Sequence, residues 1–473
     1  MSPSQPADMS PEEFRKLGYQ FVDWIANYLA HPERVDVLSK IKPGEVRRQL
    51  PQNPPQRPES MSEVLEDLDR IIVPGLTHWN HPGFLAYFPI TGSGPGILGE
   101  LLSAAFNVNG MVWRTAPAAV ELEEHVLGWL RDLMGLPAEF KGFVHDTASI
   151  STFHALVAAR ETIAERSVRE EGIGGPNAPR LRMYASEQAH SSVDKGAMAI
   201  GIGRRGLVKI PTDREFRMDP AALEEAIQYD QRSGFTPFCV VATVGTTSTT
   251  SIDPVGPIAD ICTKYGLWLH VDAAYAGSAA IVPELQFILD GCNLADSLVT
   301  NPHKWLLTPV DFSAFYCRRP DVLRRAFSLT ADYLTTAEGE AVTNPMDYSL
   351  QLGRRFRALK FWMVVRYFGV EGLRSVIREH IRLGQLFADL VRADSRFEIV
   401  APVPFSCVCF RLKGSDEENQ GLIDRVNASG KVFVSHTRLN GKLTIHFAVG
   451  NLRTTEEHVR DAWKLVQFTP SAQ

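Results

Sequence analysis

Leu267-Trp268-Leu269-His270-Val271-Asp272-Ala273-Ala274-Tyr275-Ala276-Gly277 is the stretch whose reading decides the fold. A mostly apolar run ends on an aspartate, and small residues then turn the chain. A short apolar run bounded by turn residues fits a buried strand. Similar runs occur at residues 181–185, 238–244, 297–300 and 312–317, with helical patterns between several of them. This alternation predicts an α/β fold with a mainly parallel sheet, whose site lies at strand C-terminal ends.

Asp272 closes its strand and should be buried. A buried carboxylate requires a cation or hydrogen-bond donor, and a pyridinium N–H is such a donor. Asn301-Pro302-His303-Lys304-Trp305 follows the run at 297–300. Lys304 is flanked by Trp305, Leu306 and Leu307, and a partly desolvated amine there is a better nucleophile towards an aldehyde. Val144-His145-Asp146-Thr147-Ala148-Ser149-Ile150-Ser151-Thr152 opens a helix through Leu156, Val157 and Arg160. Hydroxyls and free N–H groups at a helix start bind phosphate. His190 lies in Ala189-His190-Ser191-Ser192. Taken singly, each feature also fits a plain structural role: a strand-end cap, a snorkelling lysine, a Ser/Thr N-cap, a satisfied core histidine. Together they fit pyridoxal phosphate. Lys304 binds the aldehyde, Asp272 holds the ring nitrogen, Thr147, Ala148 and Ser149 hold the phosphate, and His190 covers the ring.

Composition narrows the alternatives. The 473 residues are 44% hydrophobic and 22% charged, ordinary for a globular chain. Net charge is -6 with no basic run, which disfavours nucleic acid and anionic membranes as partners. No apolar run reaches membrane-spanning length, and residues 1–10 lack the pattern of a signal peptide. The six cysteines, at 239, 262, 292, 317, 407 and 409, form no CxxC pair and read as buried thiols of a cytoplasmic protein. No metal site is expected.

Along the chain, Ser10-Pro11-Glu12-Glu13 starts a helix carrying Phe14, Leu17, Phe21, Ile25 and Leu29. A Pro-rich linker precedes a second helix that stops at Pro74-Gly75. Residues 84–88 read as extended, and Thr91-Gly92-Ser93-Gly94-Pro95-Gly96 as a turn near a site rather than a dinucleotide loop. Residues 328–344 are polar and aperiodic, which predicts a mobile loop. A helix through Leu359, Phe361, Trp362 and Val365 is expected to end at Gly369. Asn440-Gly441 signals a hairpin between residues 432–439 and 442–449, and the last helix starts near Thr455. We expect three parts: a helical segment at 1–82, a large α/β domain at 83–355 and a small α+β domain at 356–473.

The sequence resembles the group II pyridoxal-phosphate decarboxylases, specifically the aromatic-L-amino-acid decarboxylases in their bacterial branch. Beyond the stretches quoted above, the resemblance rests on His81-Pro82, Ala86-Tyr87-Phe88-Pro89, Leu352-Gly353-Arg354-Arg355-Phe356-Arg357 and Gly450-Asn451-Leu452-Arg453-Thr454-Thr455. It implies the fold type I transferase architecture, with a seven-stranded sheet between helices. A homodimer is implied, its N-terminal helices wrapped over the partner. Lys304 would be the cofactor lysine. Thr247, Ala274, Asn301 and His303 would lie near the cofactor. Tyr333, in the polar loop, would return a proton to Cα. The implied reaction turns an aromatic amino acid into its amine and CO2.

Departures from the family pattern bear on the substrate. Ile90 stands where Thr is common, and Ile150 where the animal pattern has Glu. Asn109 and Met111 occupy the wall that reaches across the dimer, where animal members carry Ile and Phe. Trp79, Tyr87, Phe88 and Tyr275 are the aromatic wall candidates. Three rival readings remain: an aldehyde synthase of the same family, a decarboxylase of acidic amino acids, and an inactive scaffold on this fold. The synthase branch tends to replace the loop tyrosine or the ring histidine, and this chain keeps both Tyr333 and His190. An acidic substrate needs a cationic clamp, which the sequence does not reveal.

Overall fold

The computed structural model describes residues 8–163, 168–175, 178–329 and 341–468. Seven strands form the large sheet: β1 (Lys141–His145), β2 (Leu181–Ser186), β3 (Leu207–Ile210), β4 (Thr236–Thr243), β5 (Trp268–Asp272), β6 (Ser297–Thr300) and β7 (Ser313–Cys317). Their order is β1-β7-β6-β5-β4-β2-β3. Only β7 runs against the rest, pairing antiparallel with both β1 and β6. The expected mainly parallel α/β sheet is therefore present, and its middle strands β4, β5 and β6 are buried almost throughout. Strand burial on both faces explains the continuous apolar runs seen in the sequence.

A second, antiparallel sheet has the order β10-β11-β9-β8, from β8 (Phe397–Ile399), β9 (Cys407–Leu412), β10 (Ser435–Leu439) and β11 (Lys442–Ala448). The turn between β10 and β11 places Asn440 at φ 50° and Gly441 at φ 79°, as a two-residue type I′ hairpin demands. One helix, Ala358–Ala393, connects the two cores. Its first half packs Phe361 and Val364 into the large core, and its second half packs Leu383 and Phe387 against the small sheet. Gly369 adopts φ 64° and ψ 170° within it. The sequence expectation of a helix ending there is thus half right: the backbone breaks, then resumes.

The extended segment expected at 84–88 is cut short: Phe84 and Leu85 pair alongside the small sheet, and the chain then bends at 86–88 with Tyr87 at φ 51°. Leu85 N–H donates to Phe433 O at 2.9 Å, and Ala448 N–H donates to Leu85 O at 2.9 Å. Arg354 fastens the end of β1. Its guanidinium donates to Glu123 and to Val144 O at 3.0 Å, and Val144 N–H donates to Glu123 Oε1 at 2.9 Å. Helix Pro11–Ala30, capped by Ser10, buries no residue, and Phe14 and Tyr19 stand exposed on it. Among the described residues no helix is long and apolar enough to cross a membrane. All six cysteines are buried free thiols.

Candidate active site

Parallel strands that end side by side deliver their following residues to one place. Here those residues line a cavity of about 510 Å3. β1 leads to Thr147, Ala148 and Ser149, β2 to His190, β4 to Gly245 and Thr247, β5 to Asp272 and Ala274, and β6 to Asn301, His303 and Lys304. Trp79, Tyr87, Phe88, Ile90 and Tyr275 complete the wall.

β5 and β6 are neighbours, with Asp272 level with Val299. Asn301 N–H donates to Ala274 O at 3.0 Å, which pins the turn carrying Lys304 beside the end of β5. Lys304 sits on the single turn Pro302–Trp305. Burial holds its amine below the ordinary lysine range, while the Asp272 charge opposes part of that shift. Its Nζ lies 5.4 Å from the centre of the Phe88 ring. Asp272 Oδ1 accepts from Ala274 N–H at 3.1 Å, and no hydrogen bond from the described residues engages the other oxygen.

The helix Ala148–Glu161 starts on the cavity wall. Thr147 was expected to hold phosphate, but its N–H and hydroxyl both donate to Asp146 Oδ1, at 2.6 and 3.2 Å. Among the described residues nothing accepts from the N–H groups of Ala148 and Ser149, so these two are the free donors. His190 caps the helix Ser191–Ala199. Its Nδ1 accepts from Ser192 N–H at 3.1 Å, which leaves the proton of the neutral ring on Nε2. Burial lowers its pKa, the Asp272 charge raises it, and Lys304 and Lys195 lower it. His303 Nδ1 accepts from Phe312 N–H at 3.0 Å. Burial, helped by the Lys304 charge, pushes its pKa down to about 3.

Asn109 and Met111 stand outside the cavity of this chain. Asn109 is exposed and accepts from Arg354 N–H at 2.9 Å, while Met111 packs near Val112 and Met346. Tyr333 lies outside the described residues. Sequence reading missed Thr243, Ser248, Ser435, His436, Thr437 and His446, which line the cavity as well. Four of these belong to β10 and β11. The hairpin itself was legible, but nothing in a strand's periodicity says which cavity it faces.

A nucleophilic amine, a strand-end carboxylate and a helix start around one cavity define a pyridoxal-phosphate enzyme of fold type I. Comparison with known proteins agrees. The pyridoxal-dependent decarboxylase conserved domain matches residues 43–413. Tyrosine decarboxylase 4 of Petroselinum crispum is 42% identical over 480 residues, covering 97% of this chain and 93% of the relative. Phenylacetaldehyde synthase of Arabidopsis thaliana is 42% identical over 476 residues, covering 97% and 96%. The structure of Oryza sativa tryptophan decarboxylase with pyridoxal phosphate and tryptamine superposes with a TM-score of 0.94 at 37% identity, covering 98% of both chains. This chain belongs to the pyridoxal-dependent decarboxylase family. These relatives are plant enzymes, so the bacterial branch expected from the sequence is not borne out.

The cofactor is pyridoxal phosphate, and the cavity fits it. Among the described residues, two buried wall atoms, Asn301 Oδ1 and Thr243 Oγ1, find no partner, and neither do the N–H groups of Ala148 and Ser149. Buried polar atoms left without partners point to a missing ligand.

The site is held by neutral, buried histidines, and this gives a pH dependence. His270, on β5 two residues before Asp272, bonds to Ser297 Oγ at 2.9 Å and to Thr152 Oγ1 at 3.4 Å. Burial pushes its pKa down to about 4 from 6.5. The unfolded chain then binds the extra proton first. His270 contributes its full stability above pH 6.5 and loses it as pH falls towards 4, by about 1.4 kcal/mol per pH unit. Urea titrations between pH 7 and pH 5 should show stability falling with pH, with a shallower slope in His270→Gln. An equal slope in the variant would contradict the assignment.

Proposed function

We propose that the chain decarboxylates an aromatic L-amino acid, of the tryptophan, tyrosine, phenylalanine or dihydroxyphenylalanine class, to the arylalkylamine and CO2. The observation that supports this best is one cavity holding Lys304, Asp272 and the free N–H groups of Ala148 and Ser149 against an aromatic wall of Trp79, Tyr87, Phe88 and Tyr275. Among the described lining residues Lys304 is the one lysine and there is no arginine. A second substrate carboxylate would meet no fixed cation there, which weighs against an acidic amino acid.

Bound pyridoxal phosphate supplies an aldehyde and an electron-accepting ring. Lys304 would be the amine that holds the aldehyde, a role its lowered pKa favours. Asp272 would accept a hydrogen bond from the ring nitrogen and keep it protonated. The free N–H groups of Ala148 and Ser149, with the Thr147 turn, would hold the phosphate at the helix start. Thr247, Ala274, Asn301 and His303 would border the ring, and His190 would cover it. The aromatic wall and Ile90 exclude water, which limits side reactions. Tyr333 returns a proton to Cα, a role that rests on the resemblance of the sequence.

A second reading comes from the similarity to phenylacetaldehyde synthase: decarboxylation with oxidative deamination. Presence of both His190 and Tyr333 supports the amine product instead. The assembly proposed is a homodimer. Phe14, Tyr19 and Val22 on the first helix, and Leu98, Leu101 and Phe106 on Gly94–Phe106, leave large apolar surfaces exposed, which supports a partner subunit there. Asn109 and Met111 would then face the partner's cavity. The division at residues 82/83 and 355/356 and a cytoplasmic setting complete the proposal, the latter supported by six free thiols.

Incubation with a panel of aromatic and acidic amino acids, scored for amine, aldehyde, ammonia and CO2, tests the reading. An aromatic amine formed one-to-one with CO2 is expected, with no turnover in Lys304→Ala and a shift towards aldehyde in Tyr333→Phe. Turnover only of acidic amino acids, or activity retained in Lys304→Ala, would overturn it. Sedimentation should give twice the chain mass, and a monomer that is fully active would exclude the dimer.

A further inference from the structure

The motif Gly450-Asn451-Leu452-Arg453-Thr454-Thr455 does not line the cavity, yet Asn451 is 1% exposed and makes five hydrogen bonds, one of them accepted by its carbonyl from Thr454 N–H at 3.1 Å. Its Nδ2 donates to Trp79 O at 3.2 Å and to His81 O at 3.3 Å. Its Oδ1 accepts from Arg453 N–H at 2.9 Å. Thr454 adds a bond from Oγ1 to Pro82 O at 2.7 Å. The motif thus grips residues 79–82, the start of the substrate-side wall.

Asn451 O accepts from His380 Nε2 at 3.1 Å, and His380 Nδ1 accepts from Trp305 Nε1–H at 3.0 Å. The indole can only donate, so the proton of the neutral His380 ring is on Nε2. Trp305 directly follows Lys304 and is 1% exposed. Its ring stacks on Tyr275 with centroids 4.6 Å apart, and Tyr275 stacks on Phe88 at 4.0 Å. Trp305 therefore reaches the wall by two routes: through stacked rings to Phe88, and through His380 and Asn451 to Trp79.

We propose that His380 and Asn451 are positioning residues, which register the Trp79 side of the substrate wall against the lysine turn and so tune which aromatic side chain fits. The inference rests on the decarboxylase reading above. The links from Trp305 to Trp79 run through Trp305, His380 and Asn451, each no more than 2% exposed, and Asn451 is held further by His81 O and by Thr454 N–H, so the two ends keep a fixed separation. Loss of one link frees the wall to shift without removing any group that touches the reacting atoms.

The test uses the holoenzyme with cofactor content checked by absorbance per chain. In Asn451→Ala and in His380→Phe, KM for L-tryptophan and L-tyrosine should rise about tenfold, as loss of a buried hydrogen bond implies. The two KM values should change unequally, kcat should stay within about twofold, and cofactor content should match the parent. His380→Gln should restore the parent values, because its amide oxygen can accept from Trp305 and its amide nitrogen can donate to Asn451 O. Asn451→Ser, a milder change, decides the matter if the larger ones fail to take up cofactor. Unchanged KM values, or loss of kcat alone in step with lost cofactor, would overturn the proposal. A parent that releases no CO2 would sink the decarboxylase reading instead. The relay is then judged by phenethylamine affinity, expected to weaken in Asn451→Ser and to be restored in His380→Gln; equal affinities would sink it too.

Discussion

Withdrawal from water of one amine and one carboxylate, side by side at adjacent strand ends, is the constraint on which the rest depends. β5 and β6 pair in parallel, so Asp272 and the turn carrying Lys304 leave the sheet together. An amine in such a place gives up part of its charge, and the carboxylate opposes that loss. On the proposed reading, a pyridine ring with an aldehyde would meet both costs. The fold supplies the position, and the ligand supplies the hydrogen bonds that complete it.

The surroundings keep that arrangement stiff. Histidines 145, 154, 270, 303 and 380 are all buried, and burial keeps each below the ordinary histidine range. Neutral rings with one donor and one acceptor act as fixed spacers, because their tautomers are set by neighbours. His303 takes its hydrogen bond from the Phe312 backbone, and His380 takes one from Trp305.

Much of this was legible in the sequence, for physical reasons. Strands β4 to β7 are buried, so their apolar runs stood out within two residues of their true ends, the largest miss being the half-buried start of β4. β3 was missed because a four-residue edge strand with an exposed lysine carries little signal. β1 was read only as the approach to the Thr147 turn. Lys304 and Asp272 were recognisable because charged groups beside apolar runs need a reason. Ser435, Thr437 and His446 were not, since their part in the cavity depends on how the second sheet packs over the first. The sequence also credited Thr147 with a free donor that Asp146 in fact takes. Local hydrogen bonding between neighbours settles such points, and residue type alone does not reveal it.

The central claim is that Lys304 is the amine that meets the aldehyde beside Asp272. Borohydride treatment of the yellow holoenzyme, followed by digestion and mass mapping, tests it most directly. The account predicts a single pyridoxyl group, on the peptide containing Asn301-Pro302-His303-Lys304-Trp305. A label on a different lysine, or a protein that takes up pyridoxal phosphate without becoming labelled, would contradict it.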